Sequence, residues 1–350
     1  QYVGVATYNG ASTTNAITGI GFKPDAVWFK NRTNANSHAL FDSVRGKTKL
    51  LYPNTTDQQD TVSDFDSFDY DGVTLSGSNN SYNNSSYTYV GWCWKAGGNK
   101  NTFNIDDVGY ASAAAAGLDG GSLDPAGASV NTKSKFGIYT WAGHGSSNET
   151  LAHGLGAKPD FMVCKKYSTG GNNWVIWHKS IGVTKYLMFT DAGDATDTTL
   201  FNSHTNDSDT LWSLGTNNSI SDTGQSAVAY LWCDVPGMQK FGSYEGNNVA
   251  DGTFVELGFR PAIVIFKNID ASEDWMIVDD NRSRYNPVQP TLYPNAADIE
   301  SSATNRCDFL SNGFKLRSGT SIPNTANTYI YAAWAEQPMN NFFGGQSNAR

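Results

Sequence analysis

The chain has little positive charge, few cysteines and no long apolar run, and each shortage removes a class of function. Lys and Arg total 24 against 33 Asp and Glu, for a net charge of −9. Nucleic-acid binding rests on clustered basic residues that neutralise phosphates, so no nucleic-acid partner is expected. No stretch approaches the ~20 apolar residues of a membrane helix, and no membrane insertion is expected. Cys93, Cys164, Cys233 and Cys307 stand far apart, without the paired spacing of metal or redox sites. They read as buried thiols. The first residues, Gln1 to Gly10, lack the charged-then-apolar pattern of a secretion signal, which leaves a trimmed start or another route of export. No segment of helical period is long enough to supply crossover helices.

What is present favours strands. Glycine accounts for 35 of 350 residues, Asn, Ser and Thr are abundant, and charged residues are only 16%, a turn-rich composition. Aromatic residues at 13% supply the apolar bodies a core needs. The length exceeds one ordinary domain of ~100–150 residues, so several modules are expected.

The strongest pattern is a threefold repeat. Gly21-Phe22-Lys23-Pro24-Asp25-Ala26-Val27-Trp28-Phe29-Lys30 recurs as Gly156-Ala157-Lys158-Pro159-Asp160-Phe161-Met162-Val163-Cys164-Lys165 and as Gly258-Phe259-Arg260-Pro261-Ala262-Ile263-Val264-Ile265-Phe266-Lys267. Further matches follow in the same order. His38/Phe41 aligns with Trp174/Trp177 and Trp275/Val278, and Leu51-Tyr52-Pro53-Asn54 with Leu187-Met188-Phe189-Thr190 and Leu292-Tyr293-Pro294-Asn295. Each copy closes on an apolar strand ending in Trp94, Trp232 or Trp334, which lie 70, 73 and 73 positions after the repeat proline. Nearly constant spacing implies one shared fold.

Within a copy, the run after the proline is too continuous for a half-exposed strand and should be buried. Asp71-Gly72 and Asn312-Gly313 read as hairpin turns. The sequence therefore predicts an all-β chain of three tandem, diverged antiparallel β-sandwich-like modules: 1–98, 136–237 and 238–338. Residues 99–135, with Ala113-Ala114-Ala115-Ala116-Gly117, are expected as a small-residue-rich linker or insertion, with a short helical or irregular piece near Tyr110 to Leu118. The alternative is a segment that docks on a neighbouring subunit. Residues 339–350, with Phe342-Phe343-Gly344-Gly345, read as a C-terminal tail.

The repeat block, the turn Phe41-Asp42-Ser43-Val44-Arg45-Gly46, the closing run Tyr89-Val90-Gly91-Trp92-Cys93-Trp94-Lys95-Ala96-Gly97 and the stretch Phe103 to Ser112 resemble uncharacterised repeat modules in tail-fibre and other virion structural proteins of marine bacteriophages, notably those of cyanobacteria. The resemblance covers most of the chain. It implies a virion-surface, extracellular location, other virion proteins as partners, a host-surface glycan or receptor as a further partner, and a homo-oligomer such as a trimer. It supplies no catalytic residues. Two copies depart from the Asp-x-x-Arg-Gly turn: the second has His178-Lys179-Ser180-Ile181-Gly182 and the third Asp279-Asp280-Asn281-Arg282-Ser283.

No enzyme motif stands out. His38 falls opposite Trp174 and Trp275, at a packing position, and the other histidines lack the pairing of metal or catalytic sites. Asp64, Asp66, Asp69 and Asp71-Gly72 look like a calcium loop, although no Glu follows the glycine as an EF-hand requires and the third copy lacks most of these carboxylates. Asp191, Asp194 and Asp197 form a second such cluster. No cofactor is assigned, with calcium as the alternative. Trp141, Trp174, Trp212 and Trp275 are the candidates for stacking on a sugar; the competing reading is that they fill small cores. The expected function is non-enzymatic: host-surface attachment by a tail fibre or appendage, with a purely structural decoration or connector as the alternative. The third reading, a polysaccharide-degrading enzyme, requires a carboxylate pair in a cleft.

Overall fold

The computed structural model describes residues 1–189, 199–319 and 321–335, together with the backbone of the short strand at 195–196. Asp191, Asp194, Asp197 and the expected tail at 339–350 lie outside the described residues. The chain is all-β, with antiparallel sheets and only two short 3-10 turns, Lys179–Ile181 and Asn202–His204, among the described residues.

The first copy comprises β1 (Val3–Asn9), β2 (Asn15–Ile17), β3 (Ala26–Asn31), β4 (Ala39–Asp42), β5 (Lys49–Leu50), β6 (Asp60–Thr61), β7 (Phe65–Asp69), β8 (Gly72–Leu75) and β9 (Thr88–Trp94). Its four-stranded sheet runs β1-β9-β3-β4 and packs against the three-stranded sheet β2-β8-β7. The third copy repeats this plan. Its strands are β21 (Gln239–Glu245), β22 (Phe254–Glu256), β23 (Pro261–Asn268), β24 (Met276–Asp279), β25 (Cys307–Leu310), β26 (Gly313–Leu316) and β27 (Thr328–Ala335), ordered β21-β27-β23-β24 and β22-β26-β25.

The second copy keeps the same central order in β13 (Phe136–Ala142), β14 (Glu149–Ala152), β15 (Phe161–Lys166), β16 (Val175–His178), β17 (Lys185–Met188), β18 (Ala195–Thr196), β19 (Leu211–Leu214) and β20 (Ser226–Trp232). Here β13-β20-β15-β16 continues into β17-β18, and the outer sheet is reduced to β14-β19.

Residues 99–135 are not a bare linker, and 113–117 form turns rather than a helix. They contribute β10 (Phe103–Ile105), β11 (Val108–Tyr110) and β12 (Gly127–Asn131), which extend the second copy's sheet as β11-β10-β12-β13. Their small residues permit close approach within the chain: a side chain on Gly121 would place its Cβ 2.4 Å from the Thr150 carbonyl oxygen.

The repeat prolines introduce equivalent strands, β3, β15 and β23, every residue of which is buried. Asp71-Gly72 and Asn312-Gly313 make the expected hairpins, β7–β8 and β25–β26. Both glycines are also needed by the strand alongside, because a Cβ at Gly72 or Gly313 would lie 2.0 Å from the carbonyl oxygen of Ile17 or Val255.

The three copies are not beads on a string. The first and third each have a core between their own two sheets, but the largest core contains residues from all three. At its centre the closing tryptophans meet edge to face, with ring centroids 6.2 Å (Trp94–Trp232), 5.5 Å (Trp94–Trp334) and 5.8 Å (Trp232–Trp334) apart. Equivalent residues in mutual contact define a pseudo-threefold axis. The three indole N–H groups have no hydrogen-bond partner, and edge-to-face packing offers them the neighbouring ring faces as weak acceptors. Beside the tryptophans a cavity of about 30 Å³ is walled by the equivalent residues Trp28, Val163 and Ile265.

A shared core predicts shared unfolding. Trp94→Ala is expected to cost about 3–5 kcal/mol and to lower the midpoint of a single denaturation transition for the whole chain. Three resolved transitions in the wild type, followed by tryptophan fluorescence and circular dichroism, would show independent modules instead.

Candidate functional site

Three of the residues singled out, Trp174, Trp275 and His38, lie between copies. Trp174 and Trp275, two of the four sugar-stacking candidates, are 0% and 2% exposed. Trp174 Nε1 donates to the Tyr52 carbonyl at 2.9 Å, and Trp275 Nε1 to the Met188 carbonyl at 2.9 Å. His38, their counterpart, completes the ring: its Nε2 lies 2.9 Å from the Tyr293 carbonyl oxygen. Since Nδ1 accepts from Trp28 Nε1 at 2.8 Å, the proton sits on Nε2 and the imidazole is neutral. Three side-chain N–H groups thus pin three equivalent carbonyls, each across a different interface.

Volume is conserved in this ring. Where the first copy has the smaller His38, it has the larger Trp28 in contact with it; where the others have Trp174 and Trp275, the position of Trp28 holds Val163 and Ile265. Close packing requires such compensation.

The Asp-x-x-Arg turn forms a second ring. Asp42 Oδ2 accepts from Arg45 Nε at 2.6 Å and from the Tyr230 hydroxyl, in the second copy, at 2.6 Å. Asp279 Oδ2 accepts from Arg282 Nε at 2.6 Å and from Trp92 Nε1, in the first copy, at 2.9 Å, with the guanidinium 5.5 Å from the Trp92 ring centroid. These ion pairs are almost wholly buried. In the third copy the position equivalent to Trp92 and Tyr230 is Ala332, which has no side-chain donor. In the second copy His178 and Ile181 replace the pair, and His178, with Nδ1 accepting from the Ser180 N–H at 3.1 Å, donates Nε2–H to the Tyr331 carbonyl at 3.0 Å. The departure of the second copy is therefore the complement of what it faces. Glu300 adds a bridge between the first and third copies, receiving Arg32 through two bonds of 2.7 and 2.8 Å and Arg282 at 3.1 Å.

The remaining candidates do not converge. Trp141 and Trp212 are 1% and 0% exposed and pack on each other with centroids 5.3 Å apart. No sugar has a ring face to stack on at any of the four tryptophans. The carboxylates of the expected calcium loop go to separate partners: Asp64 to the Tyr82 hydroxyl, Asp66 to Ser76, Asp69 to Thr74, and Asp71 to the N–H groups of Gly19 and Gly21. Spread along a hairpin and already bonded, they make no cage, and no group of three metal-ligating side chains occurs among the described residues. The four cysteines are buried free thiols, and burial pushes that of Cys233 up to about 12.

His204 comes closest to a catalytic pairing, with Nδ1 2.7 Å from Asp207 Oδ2. Its ring is enclosed by Trp177 and Phe201, with centroids at 4.2 and 5.1 Å, and Nε2 has no partner. No nucleophile is engaged among the described residues. A polar groove of about 360 Å³ lies between the first and third copies, with Asp280 as the single carboxylate among the described residues of its wall. That is half of what glycoside hydrolysis needs. The most exposed aromatics among the described residues, which composition could not reveal, are Tyr70 at 91% on the β7–β8 turn and Tyr285 at 86% in the loop after β24.

A family model described as a domain of unknown function (DUF7483) matches residues 1–338. No curated protein and no solved structure matches the chain.

Two tests follow from the interfaces. Tyr230→Phe removes a donor to a buried carboxylate and is expected to cost about 1.5–3 kcal/mol, read from the denaturation midpoint. Burial, chiefly, lowers His38 and His178 to about 3 from the ordinary 6.5. The unfolded chain then takes up protons that the folded chain refuses, so stability falls as pH drops from 6.5 toward 3. Burial raises Asp25 from 3.8 to about 6, so this group alone loses stability as pH rises across that range and opposes the two histidines. His38→Gln with His178→Gln should flatten or reverse the slope of stability between pH 6.5 and 4; an unchanged slope in urea titrations would assign the acid sensitivity elsewhere.

Proposed function

The chain belongs to the DUF7483 family, one model of which spans all three repeats, and we propose that it is a non-enzymatic virion-surface protein: the head of a tail fibre or appendage that attaches to a host-surface glycan or receptor. One observation carries the non-catalytic reading. His38, His178, Trp174, Trp275 and both Asp-x-x-Arg pairs, the groups with the most chemical potential, are buried and committed to holding copies together. Virion location is supported by the resemblance of the repeat block and the closing aromatic run to phage fibre modules. Attachment is assigned to the exposed loops bearing Tyr70 and Tyr285, since tyrosine presents apolar area and a hydroxyl at low entropic cost.

The second reading, a decoration or connector that binds only other virion proteins, is favoured by burial of all four tryptophans that would suit sugar stacking. Purified protein is expected to bind host cells. Tyr70→Ala with Tyr285→Ala should reduce that binding about tenfold, a loss of ~1.4 kcal/mol, at unchanged melting temperature. Binding to particle proteins but to no host surface selects the connector; immunogold labelling that finds the chain on no virion removes both readings.

A further inference from the structure

The buried guanidinium groups of Arg45 and Arg282 each lie against a carboxylate, Asp42 for the first and Asp279 with Glu300 for the second. Arg306 has no such partner among the described residues. It is 6% exposed, and it donates to neutral oxygens: Nε to Thr291 Oγ1 at 3.1 Å, one terminal nitrogen to the Ile322 carbonyl at 2.7 Å, and the other toward the Tyr293 hydroxyl at 3.5 Å. The last contact is longer than a good hydrogen bond, and two of the five N–H groups of a guanidinium stay unused. Thr291 Oγ1 gives its own hydrogen to the Gln289 carbonyl at 3.0 Å, whereas the Tyr293 hydroxyl has no acceptor among the described residues. Arginine is rarely buried without an anion, because the charge loses its hydration; burial accordingly holds Arg306 below its ordinary pKa.

The first copy shows what the third is missing. Arg306 precedes β25 as Asp64 precedes β7, and the Arg317 N–H donates to the Arg306 carbonyl as the Ser76 N–H does to the Asp64 carbonyl, both at 2.9 Å. Tyr293 corresponds to Tyr52, whose hydroxyl donates to Asp60 Oδ2 at 2.7 Å. The pairing of Leu50 with Asp60 recurs as that of Thr291 with Ser301, so Ser301 stands at the position of Asp60. The third copy has thus exchanged two carboxylates, Asp60 and Asp64, for a hydroxyl and a guanidinium. Its tyrosine keeps its place and loses its acceptor. Asp60 is exposed in the first copy, as are Ser302, Ala303 and Asn305 in the third, so this position is open to solvent.

We propose that the third copy binds a carboxylate ligand between the Tyr293 hydroxyl and the Arg306 guanidinium, in the place that the Asp60 side chain takes in the first copy. The unused N–H groups of the guanidinium match the two oxygens of a planar carboxylate, and the tyrosine supplies the donor that Tyr52 gives Asp60. The ligand is a small carboxylate, either free or borne by an acidic sugar.

Thermal unfolding of the full chain in sodium acetate and in sodium glucuronate, each exchanged for chloride at constant ionic strength, tests this independently of any role on a virion. Spherical chloride cannot bridge the guanidinium fork as a planar carboxylate does. The wild type is expected to gain about 2 °C at saturating carboxylate; the gain should vanish in Arg306→Met and shrink in Tyr293→Phe. Ser301→Asp returns the carboxylate to the chain. It is expected to raise the melting temperature in chloride by a similar amount and to abolish the response to both salts, a result that does not require Arg306→Met to fold. A larger gain in glucuronate than in acetate supports the acidic sugar, and equal gains support a free carboxylate. The same salt response in the wild type and all three variants is a general salt effect and overturns the proposal, as does a Ser301→Asp chain that keeps the wild-type response.

Discussion

The edge-to-face contact of Trp94, Trp232 and Trp334 is the constraint on which the rest of the molecule depends. Each indole lies at or one residue before the end of the closing strand of its copy, so the contact fixes three sheets relative to one axis. Everything that lies between sheets then has one geometry to satisfy. A small sandwich hides only one face of each sheet and leaves the other needing cover. Here the inward faces of three sheets cover each other, which is why strands β3, β15 and β23 are buried throughout rather than alternating.

The two rings of polar contacts follow from that arrangement. Burying Asp42 with Arg45 is tolerable only because the Tyr230 hydroxyl and neighbouring main-chain groups satisfy the remaining valences. Breaking such a pair is costly, whereas replacing both members by groups suited to an apolar neighbour is not. The second copy illustrates the latter, with His178 and Ile181 in place of the pair, His178 bonded to the Tyr331 carbonyl, and Ala332 at the position equivalent to Trp92 and Tyr230. Divergence between copies has therefore been coupled: a change on one face was accompanied by a change on the face it meets.

Much of the fold was legible in the sequence. The repeat, its prolines, its hairpin dipeptides and its closing aromatics each sit where local chemistry put them, because these signals act within a few residues. The assembly of copies was not legible, because it depends on contacts between residues more than a hundred positions apart, such as His38 with Tyr293. Aligning His38 with Trp174 and Trp275 identified a packing position correctly, yet nothing along the chain distinguishes a tryptophan that covers a sugar from one that crosses an interface. The acidic hairpin misled for a related reason. Oxygen ligands in sequence resemble a calcium loop, but Asp64 precedes β7, a register shift between Phe65 and Ser67 interrupts that strand, and Asp64, Asp66 and Asp69 are each bonded to a different partner. The small residues of 99–135 suit a linker, an insertion or a docking segment alike; in the structure β12 pairs with β13 of the same chain.

The direction of the interfaces has one further consequence. Each copy meets the next through a different surface from the one it offers the previous, the head-to-tail type of contact that builds rings when the rotation closes and endless filaments when it does not. Joining the units in one polypeptide settles that choice during folding, at any concentration. The third copy presents Asp279 and Arg282 to Trp92; a ring of three third copies would set that pair against alanine. Stoichiometry and order are thus written into the interfaces themselves, and polymerisation is forestalled by covalent connection rather than by repulsion.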